Sequence, residues 1–81
     1  MTPPEDRLKA LMLAGLDGDA SAHRVLLGDL AVRLRAYFAR RMGSQAADLE
    51  DIVQETLIAV HTRRATYDRS QAFTPWAFAI A

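Results

Sequence analysis

Apolar residues recur at helical spacing along almost the whole chain, and this pattern limits the possible folds more than any other feature. They stand three or four residues apart in three successive stretches, Pro or Gly residues separate the stretches, and none of them alternates as a strand would. The chain has 81 residues, enough for one domain. We therefore predict an all-α fold: one domain over 1–81, formed by a compact bundle of three main helices and a short, truncated fourth helix.

Helix-terminal residues predict where the first two helices begin and end. Pro4, followed by two acidic residues, suits the start of the first helix. Asp19 or Ser21 can cap the second helix, and Gly43 suits its end, because a left-handed backbone conformation costs Gly little. The four predicted helices cover about 5–17, 19–42, 46–64 and 75–81.

The third helix is predicted to begin at Ser44 or Asp48. Asp48 with Asp51 three residues later resembles a capping box, although Asp replaces the usual Glu or Gln. The segment "ATYDRSQAFTP" has the composition of a loop, and Pro75 suits the first turn of the fourth helix. The apolar stripes of the first three helices predict the core: Leu8, Leu11, Met12 and Leu16, then Leu26, Leu27, Leu30, Leu34, Tyr37 and Phe38, then Leu49, Ile52, Val53, Leu57 and Val60.

Composition argues against several classes of protein. Cys is absent, and the two His residues, His23 and His61, are far apart in sequence without metal-ligand spacing. No apolar run approaches a membrane span, and the N-terminus lacks the pattern of a secretory signal. No nucleophile, base or phosphate-binding loop is recognisable. We expect a cytoplasmic protein that is not an enzyme and that uses no metal, cofactor or small-molecule substrate.

Charged residues are segregated although the formal net charge is zero. A basic cluster in the second helix is followed by an acidic block at the start of the third, and basic residues return after it: Arg33, Arg35, Arg40 and Arg41, then Asp48, Glu50, Asp51 and Glu55, then Arg63, Arg64 and Arg69. Such segregation can orient partners, but it is also what solvated helix faces show. Both interpretations stay open on the charge pattern alone.

One face of the third helix carries the most specific signal. Asp51, Gln54, Glu55 and Ile58 are spaced i, i+3, i+4 and i+7, so they share a face separate from the core stripe. An acidic stripe that ends in an apolar residue suits docking on a basic partner with a hydrophobic contact. An ordinary charged face with one exposed Ile is the alternative.

The segment "DLEDIVQETLIAVHTRRATYDRSQAFTPWAFAIA" resembles region 2 of the sigma-70 family of bacterial RNA polymerase sigma factors, and within it the extracytoplasmic-function (ECF) group. The block 48–57, the pair Tyr67–Asp68 and the segment from Phe73 to Ala81 follow the family's hallmark pattern, approximately D-x-E-D-[LIV]-V-Q-E-[TV]-[FL], an aromatic–Asp turn and F-x-x-W-[LA]-x-x-I-A. A looser similarity extends through "GDASAHRVLLGDLAVRLRAYFARRMG", so the resemblance covers nearly the whole chain.

The resemblance implies partners and residues. Region 2 of this family docks on the clamp helices of the polymerase β′ subunit, which implies that Asp51, Gln54, Glu55 and Ile58 contact polymerase. Region 2 also melts and reads the −10 promoter element. The implied DNA-binding residues are Arg63, Arg64, Tyr67, Arg69, Phe73 and Trp76.

The aromatic residues of this DNA-binding set could instead serve to pack the core. Trp76 and Phe73 suit core packing better than exposure, whereas Tyr67 is the better candidate for an exposed ring.

The chain stops early in the family's pattern. Most −10-reading residues and the C-terminal domain that reads the −35 element would follow Ala81 and are absent here, so we expect docking without full promoter recognition. Members of the group are commonly controlled by anti-sigma factors, which makes such a factor a further implied partner. The alternative is a truncated interaction module that binds an anti-sigma factor or self-associates through its apolar end.

Overall fold

The computed structural model describes residues 3–43 and 48–80, and in these ranges the chain is an all-α bundle. The predicted fold class is confirmed. The helices are α1 (Glu5–Leu16), α2 (Ala20–Met42), α3 (Leu49–Thr62) and α4 (Phe73–Ile80), with a 3₁₀ turn over Arg64–Thr66.

The turn between α1 and α2 uses the residues that the sequence indicated. Gly18 has φ +105°, a left-handed conformation that disfavours other residues. The Asp19 carboxylate then accepts a hydrogen bond of 3.0 Å from the Ala22 N–H, so Asp19 is the N-cap of α2. At the other end of α2, Gly43 has φ +58°, as predicted for its role.

The beginning of α3 differs from the predicted capping box. Asp48 precedes the helix in an αR conformation, with φ −91° and ψ −6°, and its side chain forms no capping hydrogen bond. The predicted box is therefore wrong, because an N-cap side chain reaches the backbone from an extended conformation. The predicted start at 46, and the candidate Ser44, lie outside the described residues. The helix ends at Thr62, two residues earlier than predicted.

The core is formed by one or two residues per turn of each helix. The stripes predicted it in outline: Leu8, Met12, Leu26, Leu30, Leu34, Val53 and Val60 are fully or almost fully buried, and the other predicted core residues are half-buried. Phe73, for which core packing was preferred to exposure, is fully buried as well. Sequence reasoning missed five buried residues, Ala22, Ala31, Thr56, Tyr67 and Ala77. Thr56 is tolerated in the core because its hydroxyl donates to the Ile52 carbonyl at 2.9 Å.

A carboxylate from α1 holds the start of α4. Glu5 accepts hydrogen bonds from the Phe73 N–H (2.9 Å), the Thr74 N–H (2.6 Å) and the Thr74 hydroxyl (2.8 Å). The two N–H groups are orphan donors of the first helical turn, so Glu5 caps α4 from the opposite end of the sequence. The helix consequently begins at Phe73, two residues before the predicted start, and Pro75 lies in its first turn.

No helix in the described part of the chain is both long enough and apolar enough to cross a membrane.

Candidate functional site

The acidic stripe predicted on α3 is a continuous exposed face. Asp51, Gln54, Glu55 and Ile58 are all exposed, and Ile58 is 63% exposed, the most of any large apolar side chain in the described ranges. The buried residues of α3 point the other way, at Val53, Thr56 and Val60. The structure therefore brings all four predicted docking residues to one surface.

The acidic residues at the start of α3 differ in whether they pair with a basic residue of the fold. Glu50 is held by Arg35 of α2 through hydrogen bonds of 2.7 to 3.1 Å, which lower the pKa of Glu50 and raise that of Arg35. Within the described ranges, Asp51 and Glu55 form no ion pair. The basic and acidic clusters thus meet at Arg35–Glu50, whereas none of the ion pairs in the described ranges involves the stripe.

Beside the stripe, an open groove of about 710 Å³ runs between α2 and α3. Its α2 wall carries Arg24, Leu27, Gly28, Ala31 and Arg35, and its α3 wall carries Gln54, Leu57, Ile58 and His61. Gln54 and Ile58 belong to both surfaces, so the stripe forms one edge of the groove. Sequence reasoning missed the α2 wall, because periodicity does not reveal which faces of two helices stand opposite.

The two His residues meet at one end of this groove. Nε2 of His23 lies 2.9 Å from Nδ1 of His61, and a guanidinium nitrogen of Arg64 lies 3.4 Å from the far nitrogen of His61. Burial, together with the neighbouring His61 and Arg64, lowers the pKa of His23 below 6.5. No group of three or more potential ligands for a metal ion occurs among the residues that the structure describes.

The aromatic residues after α3 form a packed cluster. The ring of Tyr67 lies 5.3 Å from that of Trp76 and 5.9 Å from that of Phe73. Phe73 is fully buried, Tyr67 is 6% exposed, and Trp76 is half-buried. The expectation that Tyr67 is exposed is wrong: its hydroxyl donates to the Gln71 carbonyl and closes the loop over its own ring.

The basic residues predicted to bind DNA remain at the surface. Arg63 and Arg64 are exposed at the end of α3, and Arg64 also donates to the His61 carbonyl at 2.6 Å. Arg69 pairs with Asp17 at 2.9 Å, which links the loop to the end of α1. Of the predicted set, Arg63, Arg64, Arg69 and part of Trp76 are therefore exposed.

Comparison with known proteins agrees with these motifs. The family described as sigma-70 region 2 matches residues 30–81. The chain is also 62% identical, over all 81 residues, to the ECF RNA polymerase sigma factor SigF of Caulobacter vibrioides. It spans 45% of that relative's length. No solved structure matches the chain significantly.

The chain therefore belongs to the sigma-70 family of RNA polymerase sigma factors. Its similarity to SigF, which extends beyond the matched region to every residue of the chain, places it in the ECF group.

Proposed function

We propose that this chain is the region 2 domain of an ECF sigma factor and acts in transcription initiation by docking on RNA polymerase. The match to the sigma-70 region 2 family and the similarity to SigF support a role in transcription initiation. In our proposal the acidic stripe, Asp51, Gln54, Glu55 and Ile58, contacts the clamp helices of the β′ subunit. This role requires no enzymatic activity and would place the chain in the cytoplasm.

The main support for the docking proposal is that the acidic residues of the stripe have no ion-pair partner within the described residues. Asp51 and Glu55 stand one turn apart on one face, which disfavours the isolated helix unless cations offset the repulsion. Within the described residues none does, although Arg35 neutralises the neighbouring Glu50. A basic partner surface with an apolar site for Ile58 would supply the missing compensation.

Charge reversal on the stripe tests this proposal. The double variant Asp51→Lys and Glu55→Lys should weaken binding to a purified β′ clamp-helix fragment by at least about tenfold, because reversed charges at an interface repel the partner. Asp6→Lys, an exposed reversal on α1, is the matched control and should leave the affinity unchanged. Unaltered affinity of the double variant would refute the docking face.

We further propose that the end of α3 and the following loop contribute to binding and melting of the −10 promoter element in a longer protein. Arg63, Arg64 and Arg69 would contact phosphates, and the accessible part of Trp76 would stack on an unpaired base. Tyr67 and Phe73 would act by holding Trp76 in place, since their own rings are buried. Trp76→Ala should then reduce promoter opening more than it reduces binding to polymerase.

An anti-sigma factor is a second proposed partner, and self-association is its alternative. The half-buried apolar side chains of α4, Phe78 and Ile80, favour either contact. Sedimentation at high protein concentration separates the two, because a strict monomer would eliminate self-association and leave capture of an anti-sigma factor as the test.

A further inference from the structure

The two His side chains form a direct polar contact between α2 and α3. Nε2 of His23 lies 2.9 Å from Nδ1 of His61, which is a hydrogen-bond distance. In an N–H···N bond between imidazoles one ring donates and the other accepts, and an imidazolium ring has no acceptor nitrogen. The contact therefore requires at least one neutral ring and cannot persist when both rings are protonated.

His23 is held in place by the packing of α1 on α2. A Cβ added at Gly15 of α1 would lie only 3.1 Å from the Cβ of His23, so the two helices approach closely at this point. The His23 N–H also donates to the Asp19 carbonyl at 3.1 Å, in the first turn of α2. His23 is half-buried, whereas His61 is exposed. Repulsion between two charged rings would consequently act on the contact between α2 and α3.

The charged groups that stand beside the two rings are basic. From the 3₁₀ turn after α3, Arg64 places a guanidinium nitrogen 3.4 Å from Nε2 of His61. On α2, Arg24 follows His23 in sequence and lines the same groove as both rings. Protonation of the pair would therefore add positive charge to a site that already carries it.

The acidic groups of α1 and α2 on either side of His23 are engaged elsewhere. Asp17 pairs with Arg69, the Asp19 carboxylate accepts the Ala22 N–H, and Asp29 pairs with Arg7. After α3, Asp68 accepts two hydrogen bonds from Ser70. Among the described residues no carboxylate pairs with either ring, so none compensates a second proton.

We propose that the His23–His61 pair is a pH-sensitive latch between α2 and α3, closed while one ring is neutral and opened when both are protonated. Gln54 and Ile58 of the acidic stripe line the same groove as the two rings, so opening of the latch would disturb the proposed docking face. This consequence, weaker binding to polymerase in acid, rests on the proposed function. The latch itself is a property of the isolated chain.

The direction of the pH effect follows from the surroundings of His23. Burial first, and then the charges of His61 and Arg64, lower the pKa of His23 below 6.5. Because the folded-state pKa is lowered, the stabilisation by the closed latch is fully present above pH 6.5. It is lost as the pH falls through the folded-state pKa of His23.

Thermal unfolding of the isolated chain at pH 7.5 and pH 5.0 tests the latch. The melting temperature of the unaltered chain should fall by about 4–8 °C more than that of His61→Gln, which has no second ring to protonate. Thr62→Gln, a substitution at the exposed neighbouring position of α3, is the matched control and should keep the full pH effect. An equal fall in the unaltered chain and in His61→Gln would overturn the latch.

NMR of the ring protons provides a readout that a merely structural role would not move. The two coupled rings should titrate in two separate steps, and His61→Gln should leave one step. Arg64→Gln should move the titration of His23 to higher pH, because it removes one of the charges that lower its pKa. Two rings that titrate independently, with no response to Arg64→Gln, would contradict the proposal.

Binding to the β′ clamp-helix fragment at the same two pH values tests the consequence for docking. The unaltered chain should lose several-fold more affinity on acidification than His61→Gln, each compared with its own affinity at pH 7.5. If the unaltered chain does not bind at pH 7.5, the proposed function fails, whereas unfolding and NMR still decide the latch. If it binds but shows no excess pH dependence in unfolding, the latch is overturned and the proposed function stands.

Discussion

The cap that Glu5 supplies to α4 leads to a stability prediction that the sequence alone would not suggest. Glu5→Ala removes one half-buried carboxylate that accepts three hydrogen bonds from Phe73 and Thr74. A hydrogen bond to a charged group contributes about 1.5–3 kcal/mol, and the interaction with a helix N-terminus adds about 0.3–1 kcal/mol. The three bonds form together, so their contributions are not summed. We expect a loss of about 2–3 kcal/mol in the free energy of unfolding.

That loss is large for a chain of this size. An 81-residue domain has a total stability of about 4–12 kcal/mol, and a change of 1 kcal/mol shifts its melting temperature by about 4–8 °C. Glu5→Ala should therefore lower the melting temperature by about 10–20 °C. Glu5→Gln keeps one acceptor oxygen but not the charge, so its melting temperature should lie between those of Glu5→Ala and the unaltered chain.

Urea unfolding followed by the fluorescence of the single Trp, Trp76 on α4, is the appropriate assay. Asp6→Ala is the matched control: it removes an exposed carboxylate from the same turn of α1 without removing the cap. If Glu5→Ala is no more destabilising than Asp6→Ala, the capping argument is refuted.

The pH dependence provides a second check on Glu5. Burial raises the pKa of its carboxyl, but the hydrogen bonds from Phe73 and Thr74, with the charge of Arg33, outweigh burial and hold the pKa below 4.5. Because the folded-state pKa is lowered, the stabilisation is fully present above pH 4.5 and is lost as the pH falls through the folded-state value. The difference in the free energy of unfolding between the unaltered chain and Glu5→Gln should therefore shrink on acidification from pH 7. A difference that stays constant with pH would contradict the reasoning.

Three further predictions concern the core, the loop and the groove. Leu30→Ala and Val53→Ala, at fully buried positions, should each cost about 2–4 kcal/mol in urea unfolding, and a mild effect of both would contradict their core positions. Tyr67→Phe removes the hydrogen bond to the Gln71 carbonyl but keeps the ring, so it should cost about 0.5–1.5 kcal/mol in the same assay, whereas an unchanged midpoint would exclude that bond. NMR titration of His23 should give a pKa below 6.5, and His61→Gln should raise this pKa towards 6.5. Because the pKa of His23 is lowered in the folded state, the neutral ring stabilises the fold above pH 6.5. This contribution is lost as the pH falls through the folded-state pKa.

Helical periodicity predicted the fold class, the approximate positions of the four helices and the exposed acidic stripe. These features follow from local rules: side chains three or four residues apart share a helix face, and Gly or Asp residues end or begin helices. The face that carries Asp51, Glu55 and Ile58 was predictable because it lies on a single helix. The caps at Asp19 and Gly43 were predictable for the same reason.

Several features depend on contacts between residues distant in sequence. Glu5 reaches α4 across 68 residues, so no local pattern reports that Phe73 begins that helix. Tyr67 was expected at the surface, but its burial results from packing on Phe73 and Trp76 together with the loop closed by its hydroxyl. Loop residues carry no periodicity, so their exposure could not be read from spacing.

The candidate site likewise has one part that could be predicted from the sequence and one part that depends on tertiary packing. Its chemistry, an acidic stripe with an exposed Ile and a family motif around it, was already present in the amino-acid sequence, because one helix displays it. The groove beside it exists only in the tertiary structure. Packing of α2 against α3 places Gly28 opposite Ile58, pairs Arg35 with Glu50, and leaves Asp51 and Glu55 available to a partner. Which charges are neutralised within a fold depends on which helix faces meet, and that is decided by the packing of the whole core.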